Sequence, residues 1–222
     1  MSSDHTGLAE PDLISVADAS AATVRALSRA LELRDYRRGE FAETREHCDR
    51  VTRIAMRIAQ SFAPELIEDP QLEYGFRLHD IGMLAISDTI LLKQGPLTEA
   101  ELDEIREHPW LGERIVASAP YLNGVARQVI GSHHEKWDGS GYPRRLHGEE
   151  IPLPARIFSL ADAFDAMTTQ QPYREALPFE YALGEIDDKA GSHFDPDLAK
   201  TFLAIAHDLR PATTADSDLT AV

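Results

Sequence analysis

From Glu43 to Phe62 the apolar residues Val51, Ile54, Ala55 and Ile58 fall on one stripe of a helix. The same reading extends over almost everything between residues 15 and 210, and no hairpin signal or internal repeat interrupts it. Ala21 to Leu33 is a second amphipathic helix. Asp69-Pro70 reads as an N-cap followed by proline at the first helical position, opening the helix that delivers His79 and Asp80. Thr98 with Glu101 reads as a capping box for the helix that carries His108. Further helices are expected from about 123 to His133, 154 to 168, 178 to 190, and Pro196 to about 208, the last capped by Asp195. The fold class is all-α, a helical bundle with residues 135 to 153 as its one long loop.

A chain of 222 residues can bury its core as a single domain. Residues 1–14 and 211–222 are polar and without period and are expected to be flexible tails around a domain spanning 15–210. No run approaches the roughly 18 apolar residues of a membrane helix. The start MSSDHTGLAEPD lacks the basic end and apolar stretch of a signal peptide, so a cytoplasmic location is expected. The single cysteine, Cys48, cannot form an intramolecular disulfide and reads as a half-buried helix residue. A net charge of −16 argues against binding polymeric nucleic acid, because the overall field repels polyanions. A small anionic substrate would have to be attracted locally, by metal ions and a few cationic side chains.

Two segments offer that chemistry. His133 and His134 open the run HHEKWDGSGYP, residues 133–143, where two adjacent imidazoles feed an irregular loop rich in turn residues. Upstream, His79-Asp80 puts a ring nitrogen beside a carboxylate able to bridge two cations, anchored by Phe76, Leu78 and Ile81. Asp162 sits among Leu160, Ala161, Ala163 and Phe164, and a carboxylate on so apolar a helix needs a partner to offset its burial. His108 on its own would be an ordinary surface or hydrogen-bonded histidine. Glu43 and His47, four residues apart on one helix face, would on their own be a solvated pair.

HD at 79–80, HHE at 133–135 and GYP at 141–143, followed by Ile151-Pro152, the run from Ala155 through Asp162 to Ala166, Pro172-Tyr173-Arg174 and Phe194-Asp195-Pro196, resemble the HD-GYP family in order and context. This is a branch of the HD-domain metal-dependent phosphohydrolases, and the likeness runs from about residue 25 to residue 206. The resemblance implies an HD-domain helical bundle with a long GYP loop. It implies hydrolysis of cyclic di-GMP to linear pGpG and onward to GMP, and diguanylate cyclase domains as partners docking at the loop. It also implies the ligand set Glu43, His47, His79, Asp80, His108, His133, His134 and Asp162, with Asp80 bridging and His79 and Asp80 at the catalytic centre. Asp165 has the weaker claim, as a carboxylate behind the ligands or on the helix face. Five imidazoles and three carboxylates exceed what one tetrahedral ion can use, so two or three divalent transition metals are expected, iron or manganese first for a mixed N/O set.

Gly141, Tyr142, Pro143 and Arg174 are the implied substrate contacts. Two positions depart from the family pattern: Met83 stands where lysine is usual, and Gln171 where arginine is usual. Both departures remove a cation from the substrate phosphate. They leave open a shifted preference, such as cyclic GMP-AMP or another nucleotide, or a weakly active sensor of cyclic dinucleotides or partner proteins. His5, His147, His193 and His207 match no motif position and read as structural or surface residues. With only a short stretch before the domain, no attached receiver domain is expected, and regulation is expected through a partner, expression or metal supply.

Overall fold

The computed structural model describes residues 15–36, 41–170 and 175–210, without the side chains of 16, 35, 36 and 41–44. Both expected tails, Gln171 and Arg174, and the Glu43 side chain lie outside the described residues. The chain runs through α1 (Val16–Tyr36), α2 (Phe41–Phe62), α3 (Gln71–Arg77), α4 (Asp88–Leu91), α5 (Glu99–Arg106), α6 (His108–Val116), α7 (Val125–Ser132), α8 (Leu153–Thr168), α9 (Phe179–Asp188) and α10 (Pro196–Ile205). Among the described residues there is no strand, only the isolated bridges Asp138–His147 and Ala190–Phe194.

Two apolar clusters hold the helices together. The larger joins Val51, Ile54, Ala55 and Ile58 of α2 to Leu72 and Phe76 of α3, Phe158 and Phe164 of α8, and Phe202 of α10. The smaller joins Val24 and Leu31 of α1 to Leu78, Ile81, Val116 and Ile130. Each of the larger side chains, the valines, leucines, isoleucines and phenylalanines, contributes about 1.5–3 kcal/mol when fully withdrawn from water, before chain entropy is counted. The α2 stripe thus packs inward as its spacing predicts, which fixes the face from which His47 projects.

Two expectations about helix boundaries are corrected. Asp69 does accept from the Gln71 amide at 2.9 Å, but α3 ends at Arg77, and His79 and Asp80 lie in the turn beyond it. The Thr98 capping box is present, yet its helix stops at Arg106 and His108 opens a separate one, α6, with Pro109 in its first turn. Proline disfavours helical geometry in the residue before it and lacks the N–H that would continue the α5 ladder, which accounts for the break. Asp195 caps α10 as expected, accepting from the amides of Asp197 and Leu198.

One close approach positions the site. A Cβ on Gly82 would lie 1.8 Å from the His108 carbonyl oxygen and 2.6 Å from the Gly112 nitrogen. Only glycine lets the 3-10 turn Ile81–Ala85 lie directly on α6, and that contact brings Asp80 to His108.

Candidate metal centre

Asp80, His108, His133 and His134 each offer a ligand atom, all within 4.8 Å of one another. The orientation of the rings comes from the backbone. His79 Nδ1 donates to the Phe76 carbonyl at 2.9 Å, His108 Nδ1 to Ile105 at 2.8 Å, and His133 Nδ1 to Ile130 at 3.0 Å. In each case the acceptor is the carbonyl three residues earlier. A carbonyl has no hydrogen to give, so the proton stays on Nδ1 and Nε2 is turned to the centre. Sequence spacing could not show this, because His79, His108 and His133 stand at or near helix ends where carbonyls are left without helical partners.

On one side of Asp80, its Oδ1 lies 3.1 Å from His108 Nε2 and 3.5 Å from His133 Nε2, while the two Nε2 atoms are 3.1 Å apart. Bonds of roughly 2.0–2.2 Å to one transition ion place neighbouring ligand atoms about 3 Å apart, so the donor set and its spacing fit such an ion. On the other side, Asp80 Oδ2 lies 3.4 Å from His79 Nε2. Beyond His79 stand His47 and Asp162, with His47 Nε2 3.3 Å from Asp162 Oδ1. Asp80 therefore lies between two groups of donors, one carboxylate oxygen toward each.

The electrostatics of the two sides differ. Burial and the neighbouring His133 push His134 down to about 2, and burial likewise lowers His133, so both rings are neutral donors. His47 is raised to about 10: burial alone would lower it, but its hydrogen bonds to Asp162 and Asp165 prevail. His79 is raised too, Asp80 outweighing burial. The imidazoles of His79, His108 and His133 hold the Asp80 carboxyl well below the usual range, against the cost of desolvation on its histidine side.

The loop after the pair is built onto this centre. The Tyr142 ring stacks on His134, with centroids 4.7 Å apart and planes at 28°, and stands edge-on to His108 at 6.4 Å. Gly141 has no room for a side chain, since a Cβ would lie 2.4 Å from the Lys136 nitrogen. Pro143 is exposed. Glu135, buried at 2% exposure, accepts from the Arg144 amide at 2.7 Å and the Leu146 amide at 3.1 Å. The Arg144 side chain reaches the Gly131 carbonyl at 2.9 Å and the Ser132 hydroxyl at 3.0 Å. Glu135 and Arg144 were not foreseen, although an acid following two histidines into a loop was a usable signal. Met83 packs against the smaller apolar cluster. Cys48 is half-buried, His193 stacks on Phe194, His147 helps cap the short turn at 148–150, and His207 lies near Phe179.

A family model described as HD domain matches residues 14–198. The chain belongs to the HD domain family. It is of the HD-GYP type within that family. This HD-domain chain is 35% identical over 178 residues to a cyclic di-GMP phosphodiesterase of Thermotoga maritima, covering 79% of this chain and 48% of that protein. It is 34% identical over 192 residues to a 3'3'-cGAMP-specific phosphodiesterase 2 of Vibrio cholerae, covering 86% and 36%. A solved structure titled a HDG"Y"P protein, from Bdellovibrio bacteriovorus, shares the fold at a TM-score of 0.59 with 19% identity, covering 88% of this chain and 66% of that one. The chain spans about half or less of the length of these curated relatives. No helix among the described residues is long and apolar enough to cross a membrane.

Proposed function

We propose that this domain is a metal-dependent phosphodiesterase that opens cyclic di-GMP to linear pGpG and continues to GMP. The observation that carries the reading is Asp80, whose two carboxylate oxygens face separate groups of imidazoles. His108, His133 and His134 would hold one ion with Asp80, and His79, His47 and Asp162 another, with Glu43 available to the second group or to a third ion. Iron or manganese suits the mixed N/O donors. Such ions, when bound, supply Lewis-acid neutralisation at a phosphate and acidify water for attack on phosphorus.

The remaining chemistry belongs to the chain. The three backbone-held imidazoles keep their lone pairs aimed at the centre without reorganisation. Tyr142, fixed by its stack on His134, offers a ring face beside the donors for a nucleobase or ribose. Gly141 keeps the loop low enough for that stack, while Pro143, Gln171 and Arg174 complete the substrate contacts that the family resemblance implies. Pro143, Arg144 and Arg145 are exposed on a loop pinned from beneath by Glu135, which supports the loop as a docking face for a diguanylate cyclase domain.

A second reading, preference for 3'3'-cGAMP, has support in Met83. Its side chain packs on the apolar cluster and brings no charge to a phosphate. Incubating manganese- or iron-loaded protein with each cyclic dinucleotide and separating the products by chromatography tests both readings. Linear pGpG from cyclic di-GMP is the expected result. Faster turnover of 3'3'-cGAMP would establish the second reading, and no hydrolysis of either by ion-loaded protein would refute both.

A further inference from the structure

His47 is held differently from the other rings. His79, His108 and His133 are each oriented by a backbone carbonyl. His47 Nδ1 instead meets the Oδ2 of Asp165, on α8, at 2.8 Å. Asp165 is 2% exposed, and Arg50 grips it with two nitrogens: Nε on Oδ1 at 2.7 Å and a terminal nitrogen on Oδ2 at 3.1 Å. The Thr169 hydroxyl donates to Oδ1 at 3.3 Å. His47 and Arg50 are three residues apart on α2, and Asp162 and Asp165 three apart on α8, so each pair projects from one face. Where the two helices meet, the outer pair, Arg50–Asp165, lies directly behind the inner pair, His47–Asp162.

We propose that Asp165 and Arg50 are positioning residues: together they keep Nε2 of His47 turned to Asp162 and thereby set the affinity of that half of the centre for its ion. The inference rests on the two-sided reading of the centre given above. A backbone carbonyl cannot be displaced without unwinding the turn that carries it. A carboxylate on a neighbouring helix can shift with that helix, and its charge is shared with a guanidinium. The His47 ring is therefore adjustable, while His79, His108 and His133 are fixed by the fold. Partners that orient a ligating histidine are typically worth 10–100-fold in ion affinity.

Two measurements test this. The first is equilibrium uptake of Mn2+ by the full chain and its Asp165→Asn variant, with ions per chain counted by elemental analysis across a range of free Mn2+. Wild-type protein should fill both halves, and Asp165→Asn, although its loss of the buried Arg50 and His47 pairing lowers the melting temperature of the ion-free protein, should still bind the first ion as wild type does and the second at least tenfold more weakly. Equal uptake by the two proteins would overturn the proposal. The second needs no variant: in Zn2+-loaded wild type, long-range 1H–15N spectra should show His47 ligating through Nε2 with its proton on Nδ1, and ligation through Nδ1 would overturn it. A His47 ring untouched by Zn2+, or a single ion per chain in the wild type, would instead refute the two-sided centre.

Discussion

The Nε2 atoms of His108 and His133 lie 3.1 Å apart, although each belongs to a ring whose Nδ1 proton is committed to a helix carbonyl. In neutral rings two lone pairs then face each other, with Asp80 Oδ1 beside both. Either a proton held between the two nitrogens or a metal ion among the three atoms relieves that repulsion, and the ion engages all three at once. Replacing His133 by Ala should remove the ion from this half and, through it, the activity, with the His47 half retaining some uptake. Elemental analysis together with product formation from cyclic di-GMP checks this.

Gly82 is the hinge of assembly between Asp80 and His108. Gly82→Ala places a methyl group inside the His108 carbonyl, and because the obstruction is backbone it cannot rotate away. Overpacking of this kind costs about 1–3 kcal/mol or more. The expected result is a melting temperature lower by several degrees, roughly 2–4 °C per kcal/mol for a domain of this size, together with weakened ion binding on the His108 side.

Glu135 should affect the loop and leave the ions alone. Glu135→Ala strips the Arg144 and Leu146 amides of their acceptor, at about 1–3 kcal/mol for each group that water cannot reach. Hydrogen exchange at those two amides should accelerate strongly and KM should rise, with ion content unchanged. Loss of ions in this variant would mean that Glu135 supports the centre directly.

The pH dependence follows from His47, raised to about 10 in the ion-free protein. Its interaction with Asp162 and Asp165 stabilises the ion-free fold fully below the ordinary histidine value of 6.5 and is lost as pH climbs through about 10. An ion taken up at His47 must displace that proton. Affinity on that side should therefore rise at least tenfold per pH unit below about 10, with close to one proton released from His47 per ion and a further contribution from His79, which is also raised. The His133–His134 side, whose rings are already neutral, should show a weaker dependence. Calorimetry in buffers of different ionisation enthalpy measures the proton count, and no release on filling the His47 half would contradict the assignment.

The periodic segments were legible in the sequence because burial drives them: the α2 stripe, the Thr98 capping box and the Asp195 cap all stand as expected. The helix ends around His79 and His108 were not, because turn geometry there is decided by packing of Gly82 on α6, a contact between residues 26 apart in sequence that no local pattern reports. The motif residues were visible as residue types, but which nitrogen each ring presents depends on carbonyls that only the folded turn supplies. Arg50 behind Asp165 was within reach, since it follows His47 at helical spacing, yet its role requires α8 to be seen beside α2.

If Asp80 joins two ion sites, anomalous diffraction from crystals grown with excess Mn2+ will locate both. At least two anomalous peaks are expected, one against Asp80 Oδ1 among His108, His133 and His134 and one against Oδ2 beside His79. A single peak, or ions that leave the Asp80 carboxylate without contact, would contradict it.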